Sequence, residues 1–163
     1  MDIIKQLESK IINASDGLPD EIFYFVSKIT PLVNVDLLIQ NDNEETLLAW
    51  REDPIAGNGW HIPGGIIRFK ETFASRIEKV AVIEIGEHNI EYVKEPLSIN
   101  QIIRKTGNTR GHFISMLFKC KLSENYKLDN KSLNHNEAGY LKWHNSCPKN
   151  LLPLQYEIYG QYL

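Results

Sequence analysis

The residues able to do chemistry in this chain gather around a pair of glycines. The segment Trp60-His61-Ile62-Pro63-Gly64-Gly65 leads into them. Five residues after Gly65 stands Glu71, and seven more separate Glu71 from Lys79-Val80-Ala81-Val82-Ile83-Glu84-Ile85-Gly86. Positions 80, 83 and 84 lie three and four apart, so a helix presents them on one face, and that face carries one carboxylate, Glu84. Carboxylates are the oxygen ligands that a hard cation such as Mg²⁺ requires. Glu71 falls where a first helical turn favours an acid; it serves there either as a structural group paired with Lys79 or in support of a metal site. Asp36 interrupts an apolar run and needs a partner that offsets its burial, whether a ligand, a structural arginine or the backbone. Arg51 ends the next apolar run, beside the same glycines. Trp60, His61 and His112 read as packing or strand-surface residues.

These groups require a scaffold, and the hydrophobic periodicity supplies one. Residues 3–12 and 18–29 read as amphipathic helices, the second with Pro19 suited to a first turn. Residues 32–39 read as a buried strand, 41–43 as a turn and 46–50 as the hairpin partner, followed by a polar loop through Pro54, Gly57 and Gly59. Residues 71–86 read as a helix capped by Thr72, apolar nearly all round and stopped at Gly86. Strands are expected at 97–104, 112–122 and 140–143, and a closing helix at 153–162. The expected class is α/β (α+β), a mixed β-sheet sandwiched between helices. Residues 1–30 form an N-terminal helical extension and 31–163 the main domain.

Composition narrows the partners. The 163 residues carry 18 Lys+Arg against 21 Asp+Glu, a net charge of −3, and 42% of positions are apolar. Without a basic run the chain is not expected to hold a nucleic acid polymer. No stretch approaches the roughly 20 apolar residues of a membrane span, and the N-terminus lacks a signal-like core. Cys120 and Cys147 fit no zinc or redox spacing, so cytoplasmic thiols are expected.

The pattern from Gly65 to Gly86 resembles the Nudix box, G-x5-E-x7-R-E-U-x-E-E-x-G-U with U a bulky aliphatic. Lys79 stands for the arginine, Val80 for the next glutamate, Ala81 for the aliphatic, Ile83 for the first glutamate of the pair and Glu87 for the last aliphatic. A box so depleted in carboxylates is similar to the GDP-mannose mannosyl hydrolase branch, as are Thr30-Pro31-Leu32-Val33, Asp36 and Arg51; the likeness runs from about Thr30 to Trp143. The resemblance implies a homodimeric hydrolase of a nucleoside diphosphate sugar. In it water attacks the anomeric carbon and the nucleoside diphosphate leaves.

It further implies one Mg²⁺, with Mn²⁺ as alternative, held by the Gly64 carbonyl and Glu84. Arg51 would assist the departing diphosphate, Asp36 would touch substrate and Lys79 would hold the diphosphate. Ile66 replaces an arginine of the branch, for which Arg68 is a neighbouring substitute. Arg104, Lys105 and Arg110 are surface cations unless their loop folds over the site. His135 is the implied general base, since an imidazole titrating near 6.5 suits proton abstraction at neutral pH. Glu137 competes for that role or supplies a further metal ligand. The stripe Ile3, Ile4, Leu7 and Ile11 packs on the protein's own core or across a two-fold interface. Two other readings stand beside this one: a pyrophosphohydrolase attacking phosphorus, and a nucleotide-sugar binding module without catalysis.

Overall fold

The segment 32–39 is apolar on both alternating sets of positions, broken only by Asn34 and Asp36, as expected of a strand covered on both faces. In the computed structural model, which describes residues 2–163, this run is β1 (Leu32–Ile39), buried without interruption from Val35 to Ile39. It lies parallel to β7 (His112–Leu122), with Leu32 opposite Phe113 and Ile39 opposite Cys120. The short β4 (Gly64–Ile66) pairs antiparallel with the other edge of β1. β5 (Ile90–Tyr92) and β6 (Ser98–Ile103) both pair with β7, completing a five-stranded mixed sheet.

A second sheet is built on β2 (Thr46–Asp53), between β3 (Gly57–His61) and β8 (Leu141–His144). The expected hairpin between residues 32–39 and 46–50 is therefore corrected. Only the bridge Gln40–Thr46 joins the two segments, after which β2 diverges into the other sheet. The segment read as a polar loop instead closes a β2–β3 hairpin. Asp53 Oδ1 accepts the N–H groups of Ile55 and Ala56, each at 2.8 Å, and Gly57 takes the turn's positive φ of 89°.

The helix expected at 71–86 is composite. Thr72 caps α3 (Phe73–Val80) by accepting the Ser75 N–H, and the chain continues as a π-helix over Ala81–Ile85. Gly86 ends it at φ 74°. Ile77, Val80, Ala81 and Ile85 pack with Val35, Leu37 and Phe118 in the main core. The far side is not buried as expected, and Ile83 is 74% exposed. On the other side of the five-stranded sheet, α4 (Pro153–Tyr159) buries Tyr159 against Leu38, Leu117 and Trp60.

At the N-terminus, α1 (Ile3–Ser9) has no fully buried residue: Ile3 and Ile4 of its apolar stripe are exposed, while Leu7 and the following Ile11 are half-buried. α2 (Asp20–Ile29) buries Ile22 and Ser27. Both cysteines are free, and among the described residues no helix is long and apolar enough to cross a membrane.

Candidate active site

Gly64 faces Asp36 across the β4–β1 ladder. The Leu37 N–H bonds the Pro63 carbonyl and the Ile67 N–H bonds that of Val33. By antiparallel alternation Asp36–Gly64, like Asn34–Ile66, is a non-hydrogen-bonded pair, which turns the Gly64 carbonyl away from β1. A Cβ on Gly64 would lie 2.0 Å from Asp36 Oδ1, and one on Gly65 would lie 2.8 Å from Val80 Cγ2. The glycine pair thus lets the backbone approach a buried acid on one side and α3 on the other.

Asp36 is 4% exposed, and its Oδ2 accepts the Tyr159 hydroxyl at 2.6 Å. Burial pushes its carboxyl up to about 6, against the opposing pull of Tyr159 and Ser115; Glu84 adds to the rise and Arg51 subtracts from it. Tyr159 is a partner that lies too far along the chain for sequence periodicity to reveal.

Glu84 rides on the π turn. Its Oε2 is buried without a hydrogen-bond partner and stands 3.4 Å from His61 Nε2, which is also unpartnered. His61 Nδ1 bonds the Ala49 carbonyl at 2.8 Å. Sequence reasoning assigned His61 to packing; its place on the strand feeding Gly64 is the signal that could have found it.

Lys79 lies outside the cleft, which corrects its expected place on the diphosphate. Its ammonium bonds Glu71 Oε1 at 2.9 Å, as the structural alternative for that pair anticipated. The helix cation that reaches the cleft is Arg76, whose Nε also bonds Glu71 at 2.7 Å. Glu71 further accepts the Arg68 N–H, so all its partners are structural.

The cleft, about 580 Å³, opens between β1, β4, α3 and the start of α4. Arg51, Arg68, Arg76, Arg104, Lys105 and Arg110 line it, against three acids, Asp36, Glu84 and Glu157. Arg104, Lys105, Thr106 and Arg110 of the 104–110 loop line the cleft. Arg104 donates to the Ile55 carbonyl at 2.6 Å, and Arg110 pairs with Asp53 at 2.9 Å. Asp53 is held at about 2: burial opposes this, but the Ala56 and Ile55 N–H groups and Arg110 outweigh it. Ile66 also lines the cleft, with Arg68 beside it packed on Gly17 of the N-terminal segment.

His135 and Glu137 line neither this cleft nor the adjoining cavity beyond Glu84. The Glu137 carboxylate closes its own turn on the N–H and side-chain amide of Asn134, while the His135 ring lies tilted against Tyr140 with centroids 4.7 Å apart. The structure does not bring either to the groups around Gly64.

Among the described residues, no three or more His, Cys, Asp and Glu side chains converge as a metal-binding cluster. The orphaned Glu84 Oε2 and the outward-turned Gly64 carbonyl are hard oxygen donors, and they fit one divalent cation better than a group of ions.

The two sheets, their order and the flanking helices form the Nudix hydrolase fold. No family model matches the chain. The Nudix domain of NrtR from Shewanella oneidensis, solved with ADP ribose, aligns over 99% of this chain and 96% of its own, with a TM-score of 0.56 and 15% identity. The MutT protein of Methanosarcina mazei aligns over 82% and 94%, with a TM-score of 0.55 and 18% identity. Among curated proteins, the low-salt glycan biosynthesis protein Agl8 of Haloferax volcanii is 35% identical over 69 residues; the match spans 42% of this chain and 44% of that relative.

Proposed function

We propose that the chain is a divalent-metal-dependent hydrolase of a nucleoside diphosphate sugar, GDP-mannose-like in class. Water attacks the anomeric carbon and the nucleoside diphosphate leaves intact. The observation that carries this reading is the charge of the cleft: six cations surround a helix face whose positions 80, 83 and 84 are valine, isoleucine and one glutamate. Hydrolysis at phosphorus draws on carboxylates that hold several ions. A single carboxylate leaves most of the diphosphate charge to arginines, which suits a group that departs whole. The NrtR domain was solved with ADP ribose, which joins a sugar to a nucleoside diphosphate though through O5 of the ribose, and supports a nucleoside diphosphate ligand; Agl8, a glycan biosynthesis protein, supports the sugar class.

Arg51, Arg68 and Arg76 bind and orient the diphosphate, and Arg104 and Arg110 hold the 104–110 loop. When bound, one Mg²⁺ or Mn²⁺ on Glu84 and the Gly64 carbonyl supplies further positive charge to the diphosphate. Asp36 is the proton acceptor that the cleft offers, in place of His135 and Glu137, because it faces the cavity with a carboxyl near 6. The exposed stripe of Ile3 and Ile4 on α1 belongs to a homodimer interface, which a monomer by light scattering would remove.

The deciding experiment is turnover of a nucleotide-sugar panel in ¹⁸O-labelled water with Mg²⁺, followed by mass spectrometry. Label in the free sugar, with unlabelled nucleoside diphosphate, is the expected result. Label in a phosphate would establish attack at phosphorus. Metal-dependent binding without turnover would establish a binding module.

A further inference from the structure

We propose that His61 is a direct ligand of the divalent cation that Glu84 holds, making a mixed nitrogen–oxygen site that prefers Mn²⁺ to Mg²⁺. This rests on the reading of the cleft as a divalent-metal site and adds to it a ligand from outside the helix, one that lines the adjoining cavity on the other side of Glu84.

The His61 side chain is 5% exposed. A carbonyl only accepts, so the 2.8 Å contact with Ala49 O places a proton on Nδ1 and leaves Nε2 to offer its lone pair to a ligand. That lone pair looks at Glu84 Oε2 across 3.4 Å, and neither atom has a hydrogen-bond partner. Two buried polar atoms facing each other are thus left unsatisfied. A shared positive species resolves both at once.

Geometry favours an ion in that position. Two adjacent donors of an octahedral ion, each about 2.1 Å from it, stand about 3.0 Å apart, so a shift of a few tenths of an ångström brings Nε2 and Oε2, now 3.4 Å apart, into one shell. The backbone carbonyl on the far nitrogen is the brace that fixes tautomer and ring orientation in metal-binding histidines. The helix face, with Val80 and Ile83, offers no second carboxylate. The strand therefore supplies the second side-chain donor. An imidazole suits Mn²⁺ and later first-row ions better than Mg²⁺, which favours an all-oxygen shell.

The test is Mn²⁺ titration of the full chain by electron paramagnetic resonance, with pulsed spectra read for ¹⁴N coupling, on wild type, Glu84→Gln and His61→Gln. Wild type should bind one Mn²⁺ with imidazole ¹⁴N coupling. Glu84→Gln should lose the ion. His61→Gln should lose the coupling and bind Mn²⁺ at least about tenfold more weakly, since loss of outer-sphere partners alone typically costs 10–100-fold. Its preference for Mn²⁺ over Mg²⁺ should fall in the same titrations. Mn²⁺ held in a Glu84-dependent site without ¹⁴N coupling would overturn the role of His61 and leave the metal reading intact; that is the outcome if His61 only donates a proton to Glu84. No bound Mn²⁺ would overturn both. Should His61→Gln fail to fold, the wild-type spectrum decides alone.

Discussion

Replacing Glu71 by glutamine tests the ion-pair network that anchors α3 beside the cleft. The Glu71 side chain is 4% exposed and binds the Arg68 N–H, Arg76 and Lys79 at 2.7–2.9 Å. Burial by itself pushes the carboxyl up; the Arg68 N–H, Lys79 and Arg76 outweigh it and hold it at about 2 against an ordinary 4.5. A carboxyl held that far down corresponds to about 3 kcal/mol in favour of the charged folded form. Lys79 is 51% exposed, and solvent screening of its share trims the figure to about 2 kcal/mol. Glutamine also leaves Arg76, with its side chain 10% exposed, lacking a counter-charge. The expected loss at pH 7 is therefore about 2–3 kcal/mol.

The sign with pH follows from the depressed value. The stabilisation is complete above pH 4.5 and is lost as pH falls from 4.5 toward 2. Urea denaturation of both proteins between pH 7 and pH 3 should give a gap in unfolding free energy that is widest at neutrality and narrows below 4.5. A gap below about 0.5 kcal/mol at pH 7, the size of an ordinary surface substitution, would refute the reasoning. So would a gap that does not change with pH.

Asp36 has the opposite sign. Its folded value of about 6 lies above the ordinary 3.8, so its contribution to stability falls as pH rises from 3.8 through 6. Asp36→Asn should gain about 1–3 kcal/mol at pH 7 by denaturation while losing turnover, and a pH-independent gain would contradict the assignment. Gly64→Ala should cost at least about 2 kcal/mol, because its Cβ would meet Asp36 Oδ1 at 2.0 Å; an unchanged melting temperature would deny that close approach. His135→Ala and Glu137→Ala should each keep turnover near wild type, since neither lines the cleft. A loss of about 10²-fold or more would return the base role to that residue.

The spacing of glycines and acids from Gly65 to Gly86 made the fold legible, because that spacing encodes a strand, a close approach and a capped helix. Thr72 and Gly86 perform the terminal roles their residue types suggest. Strand partnership was not legible. Residues 32–39 and 46–50 are both apolar and flank a turn, and only non-local packing sends them into different sheets. Nor could the sequence choose between Arg76 and Lys79, three apart on one helix, without knowing that Glu71 would draw Lys79 away from the cleft. The place of the loop cations is not legible in the sequence, because their tethers, Asp53 and Ile55, belong to a β2–β3 hairpin that a polar, glycine-bearing segment does not announce. Tyr159 and Asp36 are 123 positions apart, and no local pattern joins them.

The π turn over Ala81–Ile85 has a consequence for how this cleft can vary. A π turn arises where one residue too many is accommodated within an α-helix. Removing one residue between Lys79 and Glu84 would let the segment relax to regular α geometry, in which each residue advances the helix by roughly 100°. The carboxylate's bearing toward His61 is therefore fixed by a count of residues as much as by a side chain. A lineage could silence or restore the site through a three-nucleotide deletion or insertion, while every residue type that matters for chemistry stayed the same.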